Sequence, residues 1–239
     1  PGQGYYRPGS VDTNLTIAYH TSLDMQVDAV SVTRGGSWNF SGRLYDSDTT
    51  GAPGLEGREI IVSLDGLEIS RLTTNSDGTF DFKHDLGYLI PRGGHDIKFT
   101  FEGQTLYLPV EYNMTVYARA DIEIEILWKT DIIIRSDEVA KIKLVGRVLE
   151  VGGEGNVIED LDIVLLWNDV AEPAVVAWES ATGHFDIQSP ARSTMPPGEL
   201  TLVVQVQTDA SRYLNGASKD HIVNIRVPVR FDFNPDGHV

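Results

Sequence analysis

The chain has 239 residues, no cysteine, and 35 acidic against 19 basic side chains, which gives a formal net charge of −16 at pH 7. So large an acidic excess argues against a nucleic-acid partner and against anionic membranes, because basic surfaces hold both. The lack of cysteine excludes disulfide frameworks, zinc fingers and thiol catalysis, and no apolar run approaches the roughly 18–20 residues of a membrane-spanning helix.

The first clear strand pattern covers residues 38–44. Apolar and polar side chains alternate there, which predicts that Trp38, Phe40, Gly42 and Leu44 lie on the inner face of a strand. The same pattern returns at residues 142–148, and the glycines of the two Gly-Arg pairs, 42 and 146, lie 104 positions apart. The chain therefore contains an internal repeat.

Further along the chain, equivalent segments recur at offsets of 103 to 106 residues. Ser76-Asp77-Gly78-Thr79-Phe80 corresponds to Ala181-Thr182-Gly183-His184-Phe185, and Tyr107-Leu108-Pro109 corresponds to Tyr213-Leu214-Asn215. At the start of the repeat, Asp24-Met25-Gln26-Val27 resembles Asp121-Ile122-Glu123-Ile124. We predict four segments: the last strand of a preceding repeat (1–20), repeat 1 (21–118), repeat 2 (119–229) and the start of a following segment (230–239).

Every strong segment alternates with a period of two, and none has a sustained helical period. Turn signals such as Asp65-Gly66, Asp77-Gly78 and Pro196-Pro197-Gly198 separate the short segments. About seven such strands per 100 residues are typical of a sandwich of two sheets. The predicted fold class is all-β, with two tandem immunoglobulin-like antiparallel β-sandwiches.

The order of the turns carries a family resemblance. Gly42-Arg43-Leu44, residues 51–57 (GAPGLEG), residues 73–80 (TTNSDGTF), residues 91–95 (PRGGH) and Tyr107-Leu108-Pro109 follow one another. This order resembles the Ig-like or carboxypeptidase-regulatory-like (transthyretin-type) β-sandwich repeats of large bacterial and archaeal cell-surface proteins. Repeat 2 departs from it at residues 156–160, where NVIED replaces the Gly-x-Pro-Leu turn. The resemblance implies modular, extracellular, non-catalytic spacer or binding domains.

The histidines give no indication of catalysis or of a metal-ligand pair. None of the six lies two to four residues from another, and His95 and His184 flank turns, which predicts surface positions. No nucleophile-elbow, zinc-protease or phosphate-loop motif occurs. We therefore predict that the chain is not an enzyme and has neither catalytic nor cofactor-binding residues.

Two acidic segments are candidate calcium ligands. Asp46 and Asp48 precede Gly51, and Asp232, Asn234 and Asp236 match the first half of a calcium loop. Oxygen ligands at alternate positions are what calcium prefers, but Asp, Asn and Gly are also ordinary turn residues. Calcium is the only cofactor that the sequence raises.

Three glycosylation sequons begin at Asn14, Asn39 and Asn113. Alternation predicts that all three side chains point outward. Such positions are compatible with an extracellular or cell-surface location.

Trp38 and Trp167 fall on predicted inner faces and are expected in the core. Val164 and Leu166 flank Trp167 on the outer face, and with Trp178 they form a candidate interaction surface. The alternative is a second face that is buried under a long loop.

The predicted function is that of a non-catalytic cell-surface or extracellular spacer and adhesion repeat within a longer array. The expected partners are other domains of the same array or surface ligands, with no nucleic acid and no membrane insertion. The N-terminal strand near residues 15–19 is expected to pair with another copy or to fold back on repeat 1, since an unpaired strand edge is a template for pairing. The alternative function is a carbohydrate- or protein-binding accessory module attached to an enzyme, and an enzyme in its own right is a weaker alternative.

Overall fold

A computed structural model describes residues 17–104, 106–130, 132–134, 141–152, 156–168, 170–172, 174–179, 182–190 and 197–226. Within these ranges the regular structure consists of β-strands, and no residue lies in a helix.

The first eight strands are β1 (Thr21–Val27), β2 (Ser31–Thr33), β3 (Ser37–Asp46), β4 (Glu59–Leu64), β5 (Leu67–Thr73), β6 (Thr79–Asp85), β7 (Gly93–Phe101) and β8 (Val110–Arg119). The other nine are β9 (Ile122–Lys129), β10 (Ile132–Ile134), β11 (Lys141–Glu150), β12 (Ile163–Trp167), β13 (Val170–Glu172), β14 (Val175–Glu179), β15 (His184–Pro190), β16 (Gly198–Val206) and β17 (Ala217–Arg226).

Strands β1 to β8 form a three-stranded sheet, β1-β3-β6, and a five-stranded sheet, β2-β8-β7-β4-β5. Strands β9 to β17 form a four-stranded sheet, β14-β15-β11-β9, and a five-stranded sheet, β10-β17-β16-β12-β13. In both five-stranded sheets a three-residue edge strand pairs in parallel with the last strand of its set, β2 with β8 and β10 with β17. The predicted all-β fold of two tandem Ig-like sandwiches is confirmed.

The chain divides into two compact units. The first consists of Pro1–Asp28, Asn39–Lys83 and His95–Thr115, and the second of Ala29–Trp38, His84–Gly94 and Val116–Val239. The strand sets and the compact units therefore do not have the same boundaries.

Aromatic rings fill the core of the first unit. Phe40 lies edge-on to Phe99 with 5.4 Å between ring centroids, and Phe80 and Phe82 lie within about 6 Å of the same ring. Around them lie buried aliphatic side chains from several strands, among them Leu44, Ile60, Val62 and Ile97. The predicted inward positions of Phe40 and Leu44 are confirmed.

The core of the second unit is mainly aliphatic. It contains Ile142, Leu144 and Val148 of β11, which are fully buried as the alternation predicts, together with Phe185 and Trp167. Trp38, the other tryptophan expected in the interior, is also fully buried.

A glycine under an aromatic ring occurs in both repeats. A Cβ atom at Gly42 would lie 2.6 Å from Met25 Sδ and closer still to the Phe80 ring. A Cβ atom at Gly146 would lie 2.5 Å from the Phe185 ring and 2.6 Å from the backbone oxygen of Glu125. The predicted equivalence of the Gly-Arg pairs therefore has a structural cause, because a Cβ atom at this place would overlap the ring.

The strand register corrects one sequence alignment. Met25 lies opposite Gly42, and Ile126 lies opposite Gly146, so Met25 corresponds to Ile126. Matching residues 24–27 with residues 121–124 was therefore wrong by four positions. The cause is the alternation itself, since a pattern of period two matches its own copy at every even shift.

We expect Gly42→Ala and Gly146→Ala each to lower the free energy of unfolding by about 1–3 kcal/mol, because the added methyl group overpacks the core. The loss should be larger at Gly146, where a backbone oxygen blocks the methyl group. Urea unfolding followed by circular dichroism measures both losses.

Gly87→Ala is the matched control, because a Cβ atom there has no neighbour within 4 Å. It should leave stability unchanged or raise it by up to about 1 kcal/mol. Equal midpoints for all three variants would contradict the prediction.

Candidate functional site

The two candidate calcium ligands of the first unit take part in turn hydrogen bonds. The buried Asp46 carboxylate accepts bonds from Asp48 N (2.9 Å), Thr49 N (3.1 Å) and Thr49 Oγ1 (2.7 Å). Asp48 accepts a bond from the His20 amide (2.8 Å) and lies 3.0 Å from His20 Nδ1. The hydrogen bond from the His20 amide lowers the pKa of Asp48 most, and the hydrogen bond with the His20 ring lowers it further. Calcium binding by this pair stays a prediction.

The other candidate ligands, Asp232, Asn234 and Asp236, lie outside the described residues. Across the part of the chain that the structure describes, no group of three or more His, Asp or Glu side chains is arranged to hold a metal ion. In the same part, no helix has the length and apolarity needed to cross a membrane.

Two of the three sequons lie on exposed strand positions. Asn39 on β3 and Asn113 on β8 are exposed, as alternation predicts, while Asn14 lies outside the described residues. Glycosylation at these sites stays a prediction.

The residues of the predicted interaction surface lie on two different sheets. Val164 and Leu166 are half-buried on β12 of the five-stranded sheet, and Trp178 is on β14 of the four-stranded sheet. Trp178 packs edge-on against Phe185 at 5.8 Å and borders the core of the second unit. The structure therefore does not bring Trp178 into one patch with the other two side chains.

His95 corrects a sequence expectation. It was predicted at the surface, but it is 6% exposed, and its Nδ1 lies 2.7 Å from Asp65 Oδ2. Asp65 is in the left-handed conformation (φ 49°) at the β4–β5 turn, and its second oxygen accepts a bond from the Asp96 amide at 2.9 Å. Burial raises the pKa of Asp65, but the bonds from His95 and Asp96 outweigh it, so the pKa lies below its usual value.

A buried ion pair lies in the second unit. Arg34 and Glu150 form it, and their side chains are 6% and 7% exposed. Arg34 Nη1 also donates to the Tyr88 carbonyl at 2.9 Å, and Arg92 lies 3.8 Å from the same carboxylate. Burial, and next the charge of Arg92, lower the pKa of Arg34, although a guanidinium stays charged in proteins.

A cleft of about 290 Å³ opens between β9 and β17 in the second unit. Its polar lining comes from Glu123, Glu125, Lys129, Lys219, Asp220 and His221. His221 is buried, and its Nδ1 lies 2.9 Å from Lys129 Nζ. The lining therefore combines carboxylates, ammonium groups and an imidazole.

Trp128, at the end of β9, was missed in the sequence analysis. Ile126 lies opposite Gly146 and Trp128 lies opposite Val145, so Leu127 is the extra residue of a β-bulge. The bulge moves Trp128 to the face that carries Glu125, and the residue is 53% exposed. Without the bulge, the alternation of Ile122, Ile124 and Ile126 would direct Trp128 inward.

An end turn is built in the same way in both repeats. Tyr19 bonds through its backbone to Leu106 O (2.7 Å) and Leu108 N (2.9 Å), and Ala120 bonds to Tyr213 O (3.0 Å) and Asn215 N (2.9 Å). At Tyr19 the chain thus folds back on repeat 1, which is one of the two predicted alternatives.

The two turns differ in exposure. In the first unit Ile17, Tyr19, Leu106 and Leu108 are exposed, whereas Leu214 of the second unit is fully buried. We call these four exposed residues the open end.

Side chains of the same unit contact the turn of the second unit. Arg119 donates to Leu214 O at 3.1 Å and to Asn215 Oδ1 at 2.8 Å, and the ring of Tyr117 stacks on that of Tyr213 at 5.5 Å.

No family model matches this chain, and no curated protein matches it; the transthyretin-type relationship therefore stays a prediction. Among solved structures, similarity is found to FdeC, an Escherichia coli adhesin, at 15% identity and a TM-score of 0.44 over 85% of this chain and 64% of that one. A C-terminal intimin fragment in complex with the intimin-binding domain of its receptor Tir is 13% identical, with a TM-score of 0.43 over 86% and 65%.

A titin fragment, A168–A169, is 11% identical, with a TM-score of 0.40 over 87% of this chain and 98% of that one. The chain thus spans slightly less than two thirds of the FdeC and intimin structures. At these TM-scores the similarities carry no argument about function.

We expect Asp65→Asn to lower the free energy of unfolding at pH 7 by less than about 1 kcal/mol, since Asp65 is half-exposed. Because its pKa is lowered on folding, Asp65 stabilises the fold fully above its unfolded pKa of about 3.9, and this contribution is lost as the pH falls through the lower folded value. The difference in the free energy of unfolding between the wild type and Asp65→Asn should therefore shrink below about pH 4. Urea unfolding across that pH range measures it, with exposed Asp162→Asn as the control; a difference that grows on acidification would contradict the prediction.

We expect Glu150→Leu to cost about 3 kcal/mol of stability, because it leaves the Arg34 guanidinium buried without its carboxylate. The double variant Arg34→Met, Glu150→Leu should cost much less, since neither charge remains buried. Denaturant unfolding of the single and double variants measures both costs.

Glu111→Leu is the control, because it breaks the exposed Lys98–Glu111 pair (3.0 Å) and should cost under about 1 kcal/mol. Additive losses in the double variant would show that Arg34 and Glu150 are not coupled.

Proposed function

We propose that this chain is a non-catalytic, extracellular or cell-surface Ig-like repeat module that acts as a spacer and adhesion domain in a longer array. Its partners would be neighbouring domains of that array and protein ligands at the surface. The proposal rests on one observation above all, the same sandwich built twice with the same end turn.

The exposure of the open end supports the proposal that the chain belongs to an array. In the second unit, Tyr117 and Arg119 contact the equivalent turn, and its central Leu214 is buried. In the first unit, the open end leaves apolar side chains in water, with Ile17 62% and Leu106 52% exposed. Exposed apolar side chains grouped at one end turn favour a contact with another folded module.

The separate cores of the two units support the proposed role as a spacer. Each repeat carries its own glycine–ring contact, Gly42 with Phe80 and Gly146 with Phe185, and each unit has its own buried core. A domain that buries its own core can in principle fold alone, which suits modules joined in series. The net charge of −16 keeps such a chain soluble and repels like-charged copies.

Stretching the full chain by its two ends in a single-molecule force experiment tests the spacer. We expect two unfolding events that each lengthen the chain by about 30 nm, because each repeat has about 100 residues and a residue extends by at most ~3.6 Å. Gly146→Ala should lower the unfolding force of one event and leave the other unchanged.

A single event that spans the whole chain, or extension without a force peak, would contradict the spacer. Antibody labelling of intact producing cells tests the location. Labelling that appears only after the cells are made permeable would contradict a cell-surface or extracellular module.

A further inference from the structure

We propose that the second unit binds a neutral carbohydrate at Trp128 and the cleft between β9 and β17. The indole ring would stack on the apolar face of one sugar ring, and the polar lining of the cleft would bind the hydroxyl groups. This inference goes beyond the proposed function, because a spacer needs no such site.

The first argument is the exposure of Trp128. Of the four tryptophans, Trp38 and Trp167 are buried and Trp178 packs against Phe185, whereas Trp128 is 53% exposed on the outer face of β9. The bulge at Leu127 produces this exposure, because it adds one residue before Trp128 while Val145 and Gly146 remain consecutive in β11. Bulges often redirect a side chain next to a functional site. A large aromatic ring kept in water offers a flat apolar surface to a ligand.

The second argument is the position of the cleft. Glu125 lies opposite Arg147 and Trp128 lies opposite Val145, so the register places Glu125 and Trp128 as neighbours on the same face of β9. Glu125 also lines the cleft, which connects the aromatic side chain with the polar groups beyond it. The cleft volume of about 290 Å³ lies just below the range of drug-sized ligand sites, which begins at roughly 300 Å³.

The third argument is the chemistry of the lining. Glu123 and Asp220 supply acceptors, and Lys129 and Lys219 supply donors. A sugar hydroxyl both donates and accepts, so a lining that contains carboxylate and ammonium groups suits it. A chain with a net charge of −16 disfavours acidic glycans, and for this reason we infer a neutral sugar.

A protein partner fits this surface less well. The centre of a protein–protein interface is depleted of charged side chains. Here the exposed indole lies next to Glu125, and the cleft that Glu125 lines carries charges of both signs beside Ile124 and Ile126. The combination suits a ligand that has an apolar face and a polar rim, as a pyranose ring does.

Acrylamide quenching of tryptophan fluorescence in the full chain tests the inference, because the quencher reaches exposed indoles first and Trp128 is the exposed one among the four. The probes are oligosaccharides of glucose, mannose, xylose, galactose and N-acetylglucosamine, each added up to about 10 mM so that even a millimolar dissociation constant is detected. We expect at least one of them to protect the fluorescence from quenching. Trp128→Phe should abolish this protection.

Calorimetry with the protecting sugar gives the second readout. We expect Trp128→Ala to weaken binding at least tenfold, and Glu125→Gln, which is next to the indole, to weaken it severalfold. Tyr45→Ala is the matched control, because it removes a half-buried aromatic ring on β3 of the first unit and should leave binding unchanged. Circular dichroism shows that each variant is folded.

Two results would overturn the inference. One is unchanged quenching with all five sugar types, which is also the result expected if Trp128 belongs to a protein-docking face. The other is equal affinity in Trp128→Ala and the wild type. Neither result bears on the force experiment, since Trp128→Ala should keep both unfolding events of the spacer.

Discussion

The contact between a strand glycine and an aromatic ring determines how each repeat is assembled. Gly42 admits Phe80, and Gly146 admits Phe185, at distances where a Cβ atom would overlap the ring. Because a strand reverses its faces with every residue, a ring fixed above one glycine fixes the register of the strands on either side. Met25 and Ile126 occupy the same register position, opposite Gly42 and Gly146. The inward rows of β3 and β11 agree with this register.

The same register explains why the two repeats can differ in chemistry. After Ile126 the second repeat has an extra residue, whereas β1 pairs with β3 without interruption from Thr21 to Val27. One inserted residue turns the rest of a strand over. In the second repeat the inserted residue directs the side chain of Trp128 outward. The insertion lies in an edge strand, where a bulge disturbs the pairing with only one neighbouring strand. A change outside the core can therefore alter the surface while the fold is kept.

Much of the fold could be predicted because it depends on alternation, which a single sequence records directly. Trp38, Phe40, Leu44 and Ile142 were placed correctly in the interior for this reason. Alternation also defines the limits. A pattern of period two matches itself at every even shift, so the alignment of residues 24–27 was wrong by four positions. The pattern also does not reveal bulges, so the exposure of Trp128 was missed. The predicted surface position of His95 was wrong for another reason: its burial depends on the carboxylate of Asp65, which lies 30 residues away in the sequence.

The site on β9 depends on a general property of open sandwiches. Two sheets that do not close into a barrel leave a seam at their edges, where one sheet ends beside the other. In the second repeat β9 is the edge strand of the four-stranded sheet, and it meets β17 of the five-stranded sheet across such a seam. Charged residues line most of this seam, and Ile124 and Ile126 of β9, which also belong to or border the core, form its apolar part. A ligand that binds in the seam can therefore use polar groups already present for solubility, and it leaves the packed interior undisturbed.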